Sequence, residues 1–315
     1  KKAPPLIAKQ LAESWGESPF FQAVVAAGPY LNFHFSPRYL AEELIPACIS
    51  SDRYGNTDLG AGKTLLLEYS SPNTNKPLHR GHGRNNLLGA VLSRILKCNG
   101  YELIKANLVN DRGIHICKSM LAYQKWGSGE TPESTGIKGD KLVGKYYVLY
   151  DQKEKANPEI LQEVQEMLRM WEAGDPETID LWKQLNGWVL DGFRETYDRM
   201  NVSFDKYYFE SETYKGGREL VLSALEKGIC VEEPNGAVAI DLEADKLGKK
   251  ILLRGDGTSM YITQDINTTV SKFADFDLDG CLFVVGSEQD NHFRVLFNVL
   301  SRFGYEWATR CEHIS

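Results

Sequence analysis

The sequence predicts an α/β protein built on a parallel sheet, with a helical insertion and a small N-terminal α+β domain. Two patterns carry this. The apolar run at 64–69 precedes helix-spaced apolar residues over 82–97 and a second strand-like run at 101–109. Strand, helix, strand places two parallel strands side by side. After residue 201, strand-like runs return at 236–242, 251–254, 258–263 and 281–286, with helices near 265–274 and 288–303. A length of 315 residues accommodates about two domains.

Along the chain, Gly28-Pro29 reads as a turn. The alternating Tyr30-Leu31-Asn32-Phe33-His34-Phe35 reads as a strand. Ser36-Pro37 starts a helix with Leu40, Leu44 and Ile45 on one face. These elements make residues 1–60 the small domain. The larger domain, 61–315, opens on the strand at 64–69. Leu87, Leu88, Val91, Leu92, Ile95 and Leu96 keep helical spacing, and Asn99-Gly100 ends that helix. Residues 156–200 read as helical within an insertion at about 136–200. Asp175-Pro176-Glu177 supplies an N-cap acid and a Pro at the first helical position.

Composition narrows the function classes. The net charge of −7 leaves no chain-wide basic footprint for nucleic acid, although a local basic groove remains compatible with it. No apolar run is long enough to cross a bilayer, and the N-terminal residues have no signal-peptide core. The six cysteines are scattered with no C-x-x-C pair, the pattern of reduced thiols in a cytoplasmic protein. The expectation is therefore a cytoplasmic protein with no DNA or membrane partner and no metal site.

Two segments suggest phosphate chemistry. Gly60-Ala61-Gly62-Lys63-Thr64 lacks the first glycine of a phosphate loop and precedes a strand, so it reads as a turn. His79-Arg80-Gly81-His82 lies between a strand end and a helix start, the usual ligand crevice of an open α/β sheet. A helix N-terminus favours phosphate through its free N–H groups and its dipole. Gly81 permits close backbone approach, and two imidazoles can donate to phosphate oxygens as charge builds. An incidental polar loop with two histidines is the plainer alternative.

His79-x-Gly81-His82 after a parallel strand resembles the HIGH signature of class I aminoacyl-tRNA synthetases. The run from Glu68 through Ser70-Ser71-Pro72-Asn73 to His79 resembles the arginyl-tRNA synthetases in particular. Asn110-Asp111-Arg112-Gly113-Ile114-His115-Ile116, Asp256-Gly257-Thr258-Ser259-Met260-Tyr261 and Val284-Val285-Gly286-Ser287-Glu288-Gln289-Asp290 follow in that family's order. Gly28-Pro29-Tyr30-Leu31-Asn32-Phe33 resembles the end of its N-terminal additional domain. Arg80 and Gly83 depart from the signature, whose second position is small or apolar and which an aliphatic residue commonly follows.

The resemblance implies a Rossmann-like catalytic domain of the HUP type. It also implies an ATP-dependent, AMP-forming arginine–tRNA ligase acting on L-arginine, ATP with Mg²⁺ and tRNA(Arg). The family's amino-acid pocket falls on Glu68, Asn73, Tyr261, Asp265 and Gln289. Glu68 and Asp265 would hold the guanidinium or the α-amino end, in either assignment, and the other three would orient the substrate. His79, Gly81 and His82 would bind ATP, with both histidines catalytic. Read without the resemblance, Glu68 is a surface acid, Tyr261 a packed strand aromatic, Asp265 a first-turn acid and Gln289 a helix-start residue.

The family's KMSKS-type loop and helical anticodon-binding domain would follow Ser315. The chain therefore reads as an N-terminal and catalytic piece, expected to be a monomer and poorly active by itself. Two rivals are a catalytically inactive arginine- or tRNA-binding module and another HIGH-bearing nucleotidyltransferase.

Overall fold

A computed structural model describes residues 2–315. They divide into one unit ending at Thr57 and another spanning Asp58–Ser315.

In the smaller unit, α1 (Pro4–Ser14) starts on a proline whose missing N–H has no helical partner to lose. The strands β1 (Phe21–Ala27) and β2 (Tyr30–Phe35) form an antiparallel hairpin in which Ala27 faces Tyr30. Its turn needs a left-handed residue, supplied by Gly28 at φ 59°. Ser36 caps α2 (Pro37–Tyr39) by accepting from the Tyr39 N–H, and a π-helical turn (Leu40–Leu44) continues into α3 (Ile45–Ser50).

The larger unit is organised around β3 (Thr64–Glu68). The chain continues through α4 (Arg80–Cys98), β4 (Glu102–Val109), α5 (Ile114–Trp126), α6 (Pro132–Thr135), α7 (Gly139–Ala156), α8 (Ile160–Ala173) and α9 (Pro176–Met200). It then returns through β5 (Lys206–Phe209), α10 (Glu210–Glu226), β6 (Val231–Glu232), β7 (Val238–Leu242) and β8 (Gly248–Leu253). The last elements are α11 (Tyr261–Asp275), β9 (Gly280–Val284), α12 (Asp290–Arg302) and β10 (Cys311–Ile314). Five strands form a parallel sheet in the order β10-β9-β3-β4-β5, as the β-α-β pattern predicts. Chain order runs outward from β3 through β4 to β5, then restarts on β3's other side with β9. This reversal is a topological switch point, where a crevice opens beyond the strands' C-terminal ends.

Strand pleating sorts β3 between two core layers. Leu66 packs into the layer that also holds Ile266 and Leu296, whereas Leu67 packs into the layer with Met120, Leu142 and Val189. Glu68, two residues after Leu66, therefore faces the α11 side, and Tyr69 joins the opposite layer.

Several expected elements differ. Residues 258–263 are not a strand: Ser259 makes one isolated bridge to Leu253, and helix α11 begins at Tyr261. The Gly257 turn, at φ 80°, interrupts the β pattern before it can extend. The 156–200 stretch is two helices, because Gly174 takes a left-handed conformation that caps α8. Asp175 then caps α9, accepting from the Thr178 N–H at 2.9 Å. Strand β5, only four residues long, is too short to stand out in the apolar pattern of the sequence.

Candidate functional site

Glu68 is the last residue of β3, and its strand neighbours are Ala106 on β4 and Phe283 on β9. It is 3% exposed. It is no surface acid: it stands at the mouth of the switch point. The loop that follows is bent sharply. Ser70 and Ser71 both have positive φ, 81° and 48°, a conformation non-glycine residues adopt only where the surroundings hold them. Here the Ser70 hydroxyl meets the Tyr197 hydroxyl at 2.7 Å, and the Ser71 N–H donates to Asn107 Oδ1 at 3.2 Å. Asn73 is bridged to Asn110 at the end of β4.

Because α11 starts at Tyr261, Tyr261, Asp265 and Lys272 fall one and about two helical turns apart on a common face. A cavity of about 710 Å³ lies beside them, and its lining includes all five expected pocket residues: Glu68, Asn73, Tyr261, Asp265 and Gln289. Tyr261 is 71% exposed, so it is neither a packed aromatic nor a strand residue.

The structure adds four charged residues that the sequence analysis did not assign. Lys272 Nζ lies 2.6 Å from Glu68 Oε2. Burial alone would pull this lysine's pKa down, but the Glu68 carboxylate and neighbouring Cys281 outweigh it, and the net direction is upward. His292 Nε2 lies 2.7 Å from Asp265 Oδ2. That hydrogen bond raises the His292 pKa above its ordinary value against the opposing effect of burial. Glu210, the first residue of α10, also lines the cavity. Burial pushes its carboxyl up to about 7; Arg112 pulls down, and Asp111 and Asp265 add to the rise. Arg112 itself is fixed 3.8 Å from the Tyr214 ring centroid and 2.9 Å from Glu172. Once α11 is started at Tyr261, the i, i+7 spacing from Asp265 marks Lys272. His292 follows Gln289 by three residues, but its pairing across to α11 has no local sequence signal.

A second cavity, of about 500 Å³, lies at the N-terminus of α4 and is lined by His79, Gly81, His82, Ser70, Gly286 and Glu288, among others. Gln289, Ser71 and Val285 line both cavities. The two histidines cap the helix reciprocally. His79 Nδ1 accepts from the Gly81 N–H at 3.1 Å, and His82 Nδ1 accepts from the His79 N–H at 3.2 Å. With both Nδ1 atoms accepting, each neutral ring carries its proton on Nε2, leaving an N–H donor. Burial, helped by His79 and Lys76, lowers the His82 pKa to about 4. It is therefore a neutral donor at neutral pH. A Cβ at Gly81 would sit 3.0 Å from His79 Cε1, so a side chain there would disturb the cap.

Among the described residues, no group of three or more His, Cys, Asp or Glu is placed to hold a metal ion, and no helix is long and apolar enough to cross a membrane.

Residues 44–315 match the family model for class I (R) tRNA synthetases, catalytic domain. The chain is 50% identical over 293 residues to an arginine–tRNA ligase of Treponema denticola, covering 92% of this chain and 50% of that protein. An arginine–tRNA ligase of Porphyromonas gingivalis is 47% identical, with all of this chain and 56% of that protein covered. The chain thus spans about half the length of the curated relatives it matches. In fold it is similar to the Thermus thermophilus arginyl-tRNA synthetase, with a TM-score of 0.73 at 23% identity over 99% of this chain and 57% of the other. A structure described as a putative arginyl-tRNA synthetase from Campylobacter jejuni gives 0.64 at 19% identity, covering 89% and 60%.

Proposed function

The chain belongs to the family of class I (R) tRNA synthetase catalytic domains, and from that premise we propose that the protein is an arginine–tRNA ligase. In this reading L-arginine occupies the larger cavity and ATP, with its Mg²⁺, the smaller one. The carrying observation is their adjacency: a cavity lined by the Glu68 and Asp265 carboxylates adjoins a histidine-capped helix N-terminus, with Ser71, Val285 and Gln289 common to both.

The chemistry follows from that layout. A guanidinium is permanently charged and presents five donors in a plane, so it calls for carboxylate and neutral acceptors. Asp265 and Glu68 supply the carboxylates, while Tyr261, Asn73 and Gln289 supply the neutral groups. The arginine carboxylate attacks the α-phosphorus of ATP, the α–β phosphoanhydride bond breaks, and diphosphate leaves with the electron pair. Arginyl-adenylate remains and passes its arginyl group to tRNA. The protein contributes position and charge stabilisation. The Nε2–H donors of His79 and His82, together with the N-terminal amides of α4, would hold phosphate oxygens as negative charge shifts toward the leaving diphosphate. A cytoplasmic, monomeric enzyme completes the reading; the six free cysteines accord with a reducing compartment.

The test is exchange of labelled diphosphate into ATP by the protein carrying this chain, with tRNA supplied. The proposal expects exchange that depends on L-arginine. Arginine-independent ATP turnover would instead favour another HIGH-type nucleotidyltransferase, and no turnover alongside arginine binding an inactive binding module.

A further inference from the structure

Asp265 is the less constrained of the two cavity carboxylates assigned to the substrate cation. Glu68 is buried and paired with Lys272, so its charge is balanced within the protein. Among the described residues the Asp265 carboxylate makes one hydrogen bond, with His292. An aspartate's terminal torsion is broad and roughly two-fold, so a carboxylate without a partner turns easily. A planar guanidinium is recognised well only by an acceptor whose direction is fixed in advance.

Resting on the arginine-site reading, we propose that His292 is a positioning residue for the substrate: its Nε2–H holds Asp265 Oδ2, which fixes the carboxylate for the guanidinium. His292 sits on α12 and Asp265 on α11, so the contact also ties together two helices that line the cavity.

A consequence concerns charge. With His292 neutral, the Asp265 pair carries one negative charge for an incoming cation. Once His292 is protonated, the pair is neutral and the guanidinium loses much of its attraction. Asp265 favours the imidazolium, which is the direction of the His292 shift. Arginine binding should expel that proton, so affinity falls as pH drops through the His292 pKa. The other charged or titratable groups lining the cavity are Glu68, Lys272, Glu210, Arg112, Arg254, His115 and Tyr261. At the start of α12, Asp290 is occupied by His313 at 2.9 Å. Both Glu210 and His115 act with the same sign, but burial pushes Glu210 up into a nearby range and lowers His115 away from it, so the test must separate Glu210 from His292.

L-arginine is titrated calorimetrically into the chain and into His292→Ala, His292→Gln and Glu210→Gln, at about pH 6 and about pH 8. His292→Ala is expected to lose about tenfold or more in affinity at pH 8, the usual scale for a hydrogen bond to a charged group, with its melting temperature little changed. His292→Gln keeps an N–H donor at similar reach but cannot be protonated. It should restore most of the pH 8 affinity and flatten the pH dependence, while Glu210→Gln retains the His292 component. Affinity unchanged in His292→Ala, or a pH dependence intact in His292→Gln, would overturn the proposal. A folded parent chain that binds no arginine at either pH would overturn the arginine-site reading itself, and this inference with it.

Discussion

Lys272 Nζ and Glu68 Oε2 lie 2.6 Å apart with their side chains 1% and 4% exposed, a buried ion pair in the lining of the larger cavity. Removing one partner of such a pair leaves an uncompensated buried charge and typically destabilises by about 3–5 kcal/mol. Lys272→Met should lower the urea midpoint of the larger unit by a corresponding amount. Because the charge and its counter-charge are then removed together, the double variant Glu68→Gln/Lys272→Met should recover most of that stability. It should still fail to bind arginine, since a cavity carboxylate is gone. A single variant as stable as the parent would show that the pair is not the buried contact described.

The Glu210 carboxyl, pushed up to about 7, gives a stability prediction with a definite sign. The folded state holds its proton more tightly than the unfolded chain does. Stability from this group is therefore present below the ordinary glutamate pKa of 4.5 and is lost as pH rises toward 7. Glu210→Gln should melt higher than the parent at about pH 8 and about equally at pH 4. Melting curves at the two pH values check this, and a lower melting temperature at pH 8 would contradict it.

His82 has the opposite slope. Its pKa is lowered from 6.5 to about 4, so the unfolded chain binds the proton first. The stability it contributes is complete above 6.5 and declines as pH falls toward 4. His82→Asn keeps an acceptor near Nδ1 for the His79 N–H but does not titrate there. It should show a shallower loss of stability between pH 6.5 and 4. In the adenylation assay it should lose far more activity than stability, because the Nε2–H donor is missing. Comparable losses in both would make His82 a capping residue only.

Gly89 packs where a Cβ would lie 2.4 Å from the Tyr69 ring. Tyr69 is buried, and its hydroxyl donates to the Ser203 carbonyl at 3.1 Å. The ring has little room to retreat, so Gly89→Ala should destabilise by about 1–3 kcal/mol despite alanine's better helix propensity. Since Tyr69 directly follows Glu68, arginine affinity should fall as well. Chemical unfolding and arginine titration of the same variant measure both effects.

The parallel sheet was legible because β3 and β4 are apolar runs flanking an amphipathic helix. The line-up of Glu68, Asn73, Tyr261, Asp265 and Gln289 along one cavity came from motif resemblance rather than periodicity: nothing local distinguishes Glu68 from a surface acid. The 258–263 segment misled because Tyr261 and Ile262 have strand-like character, whereas their helix is fixed by packing of Ile262 and Ile266, one turn apart, into the core. Lys272 and His292 escaped for a physical reason. A buried charge is identified by its partner, and these partners lie 204 and 27 residues away along the chain.

The proposed function stands on the larger cavity being a guanidinium site. Its most direct test is calorimetric titration of the chain with L-arginine, beside L-citrulline and L-lysine, repeated on Asp265→Ala. L-citrulline keeps nearly the same shape but replaces the charged fork with a neutral urea. The account predicts selective binding of L-arginine, with discrimination of about a hundredfold or more over both controls, lost in Asp265→Ala. Equal affinity for L-arginine and L-citrulline, or arginine binding untouched by Asp265→Ala, would contradict it.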